Sequence, residues 1–246
     1  MINLKISGFN FDAPIVGSWP ELMGICESAL KKRTQGYFCA VNPEKIVNTS
    51  KTGLFTSKQE KLLANFADGV GVVLAAQLLE SKRIERIAGI DFFMEILKML
   101  DRNKQKLFLF GSSESVLRQT VESISTRYPN IQIVGSEPGY SYENENIIRR
   151  IDELSPDVIA VALGSPKQEE WILQQGMKAK SGVYIGVGGT FDVISGNIKR
   201  APQLFRKLGL EWLFRLIKQP SRAIRQKVLP IFLVRVLWEK CFSNHK

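Results

Sequence analysis

Apolar residues recur along this chain in short dense runs separated by longer segments of mixed polar and apolar character. The runs are YFCAVN (37–42), DGVGVVLAA (68–76), KLFLFG (106–111), NIQIVG (130–135), DVIAVALG (157–164) and GVYIGVGG (182–189). Their length, their content of branched and aromatic residues and the glycines that close them predict buried strands. The second half is the clearest, with helices predicted over 114–127, 144–154 and 167–178 between its strands.

Short buried strands alternating with helices of ten or more residues imply parallel β-α-β units. The expected fold class is α/β, a Rossmann-like and mostly parallel sheet. In such sheets ligands bind outside the carboxyl ends of the strands, where glycines let the backbone approach and helix N-termini favour anions. Gly111-Ser112-Ser113, Gly135 with Pro138-Gly139-Tyr140, Gly164-Ser165-Pro166 and Gly186-Val187-Gly188-Gly189 all fall on one predicted edge. A nucleotide diphosphate fits an edge of that kind. No G-x-G-x-x-G opens a helix, which argues against a nicotinamide-dependent oxidoreductase.

Length and composition leave room for one α/β domain with a short appendage: 246 residues, 44% hydrophobic and 24% charged. The net charge of +10 is unevenly placed. Residues 199–246 hold 12 Lys or Arg against two acids, whereas residues 1–198 balance 22 basic against 22 acidic side chains. The expected division is therefore an α/β catalytic body over 1–198 and a basic, helical, partly apolar appendage over 199–246, interrupted by Pro220 and Pro230. Such asymmetry points to an anionic partner, whether nucleic acid, a membrane surface or a diphosphate. The stretch VLPIFLVRVLWEKCF (228–242) is too apolar for a nucleic-acid arm and too short for a membrane span. It reads as an interfacial helix, or as a segment packed on the body or on another subunit.

No recognition-helix pattern or zinc spacing accompanies the basic tail, which weighs against nucleic acid. A basic membrane-associated protein without catalysis stays as the alternative. Cys26, Cys39 and Cys241 are odd in number and unpaired in spacing, as suits a reducing compartment. The N-terminal segment lacks a secretory pattern, so the expected location is the cytoplasm, peripheral to the inner face of the membrane, with a homo-oligomer left open.

Seven segments carry a more specific signal: VNPEKIV (41–47), ADGVGVV (67–73), ERIAGID (85–91), VGSEPGY (134–140), PDVIAVALGSPKQEEWI (156–172), IGVGGTFDVISGNIKRAP (185–202) and GLEWLFRLIKQPSRAIRQ (209–226). Along nearly its whole length the chain resembles the WecG/TagA/CpsF family of bacterial cell-surface polysaccharide glycosyltransferases. The resemblance implies an inverting transferase that takes N-acetylmannosamine, or its uronic acid, from a UDP-sugar. The acceptor it implies is N-acetylglucosamine on undecaprenyl diphosphate, with no cofactor.

Inversion by a single displacement needs one carboxylate to take the proton of the attacking hydroxyl. Asp68 is the candidate; its position alone fits a turn or helix cap equally well, and the resemblance favours the base. The only histidine is His245, and no Asp-x-Asp occurs, so no metal is expected and arginine and backbone amides would carry the diphosphate charge. Arg86 matches a family position implicated in the active site, with a plain surface arginine as the alternative. Gln168, just inside the helix after Gly164-Ser165-Pro166, could read a sugar hydroxyl, an N-acetyl group or a phosphate oxygen, while Lys167 and Glu169 read equally as solvated first-turn residues. Asp192, after the Gly188 turn, is implied to lie near the nucleotide, or else caps that turn. Arg215, Arg222 and Arg225 match appendage arginines implied to meet the acceptor diphosphate. Ala40 stands where the family commonly has Thr, leaving Asn42 or a water to make that contact and putting sugar identity in doubt more than reaction type.

Overall fold

The computed structural model describes residues 1–50, 60–140, 142–207, 209–218 and 227–242. Its strands are β1 (Ile2–Ile6), β2 (Phe11–Val16), β3 (Gly36–Val41), β4 (Leu62–Ala67), β5 (Lys106–Gly111), β6 (Gln132–Glu137), β7 (Val158–Ala162) and β8 (Val183–Gly186). They form one eight-stranded sheet in the order β1-β2-β4-β3-β8-β7-β5-β6. Only the β1–β2 hairpin is antiparallel; every other neighbour pairs in parallel. The register keeps the carboxyl ends level, with Val41 opposite Ala67, Val161 opposite Gly186 and Phe110 opposite Val161.

Helices cover both faces. Against one pack α2 (Pro43–Asn48), α3 (Val70–Glu80), α6 (Asn144–Leu154) and α7 (Lys167–Gln174), and against the other α1 (Trp19–Lys32), α4 (Gly89–Asn103), α5 (Glu114–Arg127) and α8 (Thr190–Ile194). A sheet covered on both faces needs apolar side chains in both directions, which is why β5 reads as the unbroken run LFLF. Phe108 and Phe110 enter the first core, Leu107 and Leu109 the second. In the second core α4 carries the largest apolar stripe, and its Phe92 meets Phe38 and Phe66 edge-on at 5.1 and 5.0 Å between ring centroids.

The expected α/β class and mostly parallel sheet are present, as are strands at five of the six expected runs. The sixth, 68–76, is not a strand: it is a turn at Asp68 and Gly69 followed by helix α3. A continuous apolar run has no period that separates a strand from a helix buried on most sides. The two glycines are required there by proximity, because a Cβ on Gly69 or Gly71 would lie 2.9 or 2.6 Å from the Pro43 ring. The strand of this region is instead LLANFA, disguised by Asn65, which is fully buried and donates from Nδ2 to the Pro14 carbonyl at 3.1 Å. The helix expected over 167–178 is regular only to Gln174 and tightens into a 3-10 turn at Gly176–Lys178.

Beyond residue 200 the chain forms α9 (Gln203–Lys207), α10 (Glu211–Lys218) and a C-terminal helix, Val228–Phe242. Phe232 and Val236 of that helix lie inside the first core, and Phe232 stacks on Phe9 with ring centroids 6.0 Å apart. The buried Glu239 accepts the Ser7 backbone N–H at 2.8 Å. Its outer face exposes Ile231, Leu233, Val234, Leu237, Trp238 and Phe242. Among the described residues no helix is long and apolar enough to cross a membrane.

Candidate functional site

The level carboxyl ends of β4, β3, β8 and β7 set the place of the site. The chain leaves β3, β4 and β7 towards α2, α3 and α7 on one face, and leaves β8 towards α8 on the other. Helices that part in this way open a crevice at the strand ends.

Asp68 is the first residue after β4. Its N–H and that of Gly69 both donate to the Val41 carbonyl, at 2.9 and 3.4 Å, which pins the turn to the end of β3. The carboxylate Oδ1 accepts the N–H of Gly89, the first residue of α4, at 3.0 Å. Asp68 therefore does serve a helix start, but the start of α4 rather than that of the helix it precedes. One oxygen is oriented by this bond, and Oδ2 takes no hydrogen bond among the described residues. Ala40 lies against the same spot: a Cβ on Gly89 would be 3.5 Å from its methyl.

Asn42 caps α2, its Oδ1 accepting the Lys45 N–H at 2.9 Å. It sits beside the Asp68 turn, since a Cβ on Gly69 would be 3.1 Å from the Asn42 Cβ. Arg86 lies on the irregular segment between α3 and α4 that runs past the end of β4, where Ile87 N–H donates to the Ala67 carbonyl at 2.8 Å. Its guanidinium is engaged by the C-terminal region, with Nη2 3.2 Å from Glu211 Oε2 and 3.3 Å from the Arg206 carbonyl. Glu211 is shared: its Oε1 lies 3.6 Å from Arg200 Nε, and Arg200 donates from Nη2 to Asp91 at 2.7 Å. Arg86 and Arg200 thus tether α10 to the start of α4.

Gln168 is 2% exposed and its carboxamide is satisfied from within the protein. Its Oε1 accepts the Gly188 N–H at 3.0 Å, and its Nε2 donates to Glu169 Oε1 at 2.7 Å. The Gly164 carbonyl accepts the Gln168 N–H at 2.8 Å. Gly164 and Gly188 both have positive φ, +78° and +50°. Asp192 lies in the first turn of α8, half-buried, at the far side of the Gly188–Gly189 turn.

The structure thus brings Asn42, Asp68 and Arg86 together at the β3–β4 end, and Gln168, Gly164, Gly188 and Asp192 at the β7–β8 end. Of the expected appendage arginines, Arg215 belongs to α10 without a described side chain, and Arg222 and Arg225 lie outside the described residues.

Two residues join the two groups: Lys45, which no sequence feature singled out, and Glu169, for which the sequence left a solvated first-turn position open. Lys45 Nζ donates to Glu169 Oε1 at 2.6 Å, and both side chains are less than a tenth exposed. Glu169 is therefore no solvated first-turn residue but half of a buried ion pair across the crevice floor. Burial is the largest influence on the Lys45 ammonium and works against it, yet Glu169, Cys39 and Asp68 together hold the lysine above its ordinary pKa. Nothing in NPEK or KQEE marks these two charges as buried; a short helix inserted between a sheet and a crevice hides them.

A crevice of this form is a ligand site in many α/β proteins, and the chain's relatives give it a reaction class. The model of the glycosyl transferase WecG/TagA/CpsF family matches residues 4–246, and the chain belongs to that family. It is 40% identical over 173 residues to the N-acetylglucosaminyldiphosphoundecaprenol N-acetyl-beta-D-mannosaminyltransferase of Bacillus subtilis (strain 168), a match covering 70% of this chain and 68% of that protein. It is also 40% identical over 170 residues to the protein of the same name from Staphylococcus aureus (strain MW2), covering 69% and 67% respectively.

Proposed function

We propose that this protein transfers an N-acetyl-β-D-mannosaminyl group to N-acetylglucosaminyldiphosphoundecaprenol, with a UDP-sugar as donor and inversion at the anomeric carbon. The reaction and acceptor follow the names of the relatives, and the observation that carries the reading to this chain is Asp68. It is a partly buried carboxylate at the crevice, with one oxygen oriented by the Gly89 amide and the other open. In the transfer, an acceptor hydroxyl oxygen bonds to the anomeric carbon as the bond from that carbon to the diphosphate oxygen breaks. Asp68 takes the hydroxyl proton and UDP departs with the electron pair.

Arg86 and the amides of the glycine turns stabilise the departing diphosphate. To do so Arg86 exchanges Glu211 for a phosphate oxygen, which couples donor binding to the position of α10. Asn42 and Asp192 flank the donor from the ends of β3 and β8. The appendage arginines Arg215, Arg222 and Arg225 meet the acceptor diphosphate. The apolar outer face of the C-terminal helix rests on the inner leaflet that holds the acceptor.

The test is incubation of the purified protein with a panel of UDP-sugars and a short-chain lipid diphosphate carrying N-acetylglucosamine, with products read by mass. Gain of one N-acetylhexosamine from UDP-N-acetylmannosamine is expected. Transfer only from a different UDP-sugar would overturn the donor assignment, and no transfer from any would overturn the reaction.

A further inference from the structure

Lys45 occupies an unusual place among the residues of the crevice. Its backbone N–H caps onto Asn42 at the end of β3, and its side chain crosses to Glu169 after β7. Glu169 Oε1 also accepts from Gln168, whose other amide atom holds the Gly188 N–H after β8. A continuous chain of hydrogen bonds therefore runs from the β3 turn through Lys45, Glu169 and Gln168 to the β8 turn. Every side chain in its middle is less than a tenth exposed.

We propose that Lys45 and Glu169 are positioning residues for the transfer reaction: they lock the Gln168 carboxamide, and through it the Gly188 turn, at a fixed distance from the Asn42 and Asp68 turns. Three observations support this over a role as filler. First, one carboxylate oxygen is the acceptor for both Lys45 and Gln168, so the orientation of the carboxamide depends on the ion pair. Second, the carboxamide packs directly on Gly186: a Cβ there would be 2.6 Å from Gln168 Nε2, so the strand end is shaped to admit it. Third, a buried pair of this sort is a poor source of stability, because an apolar pair of similar volume often serves folding as well or better. The alternative orientation of Gln168, with Nε2 towards Gly188, would set two N–H donors against each other and is excluded while Glu169 faces the Lys45 ammonium. Displacement of a substrate-holding turn by about 1 Å can cost on the order of 100-fold in rate.

This inference rests on the proposed transfer reaction for its kinetic part only, and the decisive measurement needs no substrate. Two variants are compared with the wild type. Lys45→Met with Glu169→Leu removes both charges together, leaving no ion unpaired. Glu169→Asp keeps the charge opposite Lys45 but withdraws the shared oxygen by one methylene. Amide hydrogen exchange at Gly188 is read by NMR. Both variants are expected to fold with Gly188 protection reduced at least ~10-fold, and to show kcat lowered ~10- to 100-fold with the KM for donor changed less than ~3-fold.

Wild-type protection of Gly188 in either folded variant would overturn the proposal, as would an undiminished kcat. Failure of both variants to fold would overturn it too, by making the pair a requirement of folding. If the wild type itself transfers nothing, the reaction assignment fails while the exchange measurement still decides whether the pair fixes the turn.

Discussion

Replacing Asp68 by Asn separates the two tasks of this side chain. The carboxamide keeps an oxygen to accept the Gly89 N–H, which lies 3.0 Å away in the native protein, so the turn and the start of α4 keep their tie. What is lost there is charge assistance, the difference between a hydrogen bond to a charged group at roughly 1.5–3 kcal/mol and a neutral one at roughly 0.5–1.5. At this partly buried position that is about 1 kcal/mol, or roughly 2–4 °C in Tm for a chain of this size. The proton acceptor, by contrast, is removed outright. A positioned general base contributes roughly 100- to 10,000-fold, and so about 2.7–5.5 kcal/mol of barrier. The expected protein unfolds within a few degrees of wild type, binds UDP as before by calorimetry, and transfers sugar to the short-chain acceptor at least ~100-fold more slowly. A variant with near-native turnover would remove Asp68 from the chemistry. One that unfolds far below the native Tm would show that the bond to Gly89 is its main task.

Phe232→Ala should lower stability by about 3–5 kcal/mol, because it empties a core position stacked on Phe9; an unfolding free energy within 1 kcal/mol of wild type would contradict the seat described for the C-terminal helix. Val234→Glu together with Trp238→Glu alters only the exposed face of that helix, so sedimentation with anionic vesicles should drop while Tm holds; undiminished sedimentation would move the membrane contact elsewhere. Burial raises the thiols of Cys26 and Cys39 to about 12, helped at Cys26 by the charge of Glu27 and opposed at Cys39 by the Lys45 ammonium, so both stay protonated and unreactive at pH 8. Iodoacetamide should therefore label the native protein once, at the exposed Cys241, and the unfolded protein three times; a second native label would refute that burial. EDTA should leave the rate unchanged, since the sequence offers no Asp-x-Asp pair, and a strict requirement for added Mg²⁺ or Mn²⁺ would contradict this.

The sequence made the parallel half of the fold readable because β5, β7 and β8 are buried on both faces and a glycine ends or closely follows each. It hid the N-terminal hairpin, whose strands carry Asn3, Lys5, Asp12 and Pro14 among their apolar residues and are joined through a 3-10 turn and Asn10 in left-handed conformation. It also hid β4, where a buried asparagine interrupts the apolar run, and so displaced the expected strand onto α3. At the site, Asp68, Asn42 and Arg86 could be singled out by motif, but their partners could not. That Asp68 anchors Gly89, twenty-one residues on, and that Arg86 faces Glu211 are facts of tertiary approach with no local signature. Gln168 shows the limit most clearly. Its place after a glycine turn suggested a hand offered to the ligand, whereas burial turned it inward to hold the Gly188 turn.

The seat of the C-terminal helix also bears on how the chain is made. Ser7 and Glu239 are bonded across 232 positions of sequence, and Phe9 waits for Phe232 to cover it. During synthesis the N-terminal hairpin emerges more than two hundred residues ahead of its apolar partner. Contacts of such long sequence separation close slowly and leave unpaired apolar surface exposed in the interim. A nascent chain stalled or cut before residue 228 would leave Phe9 without that cover and present the patch to chaperones and proteases.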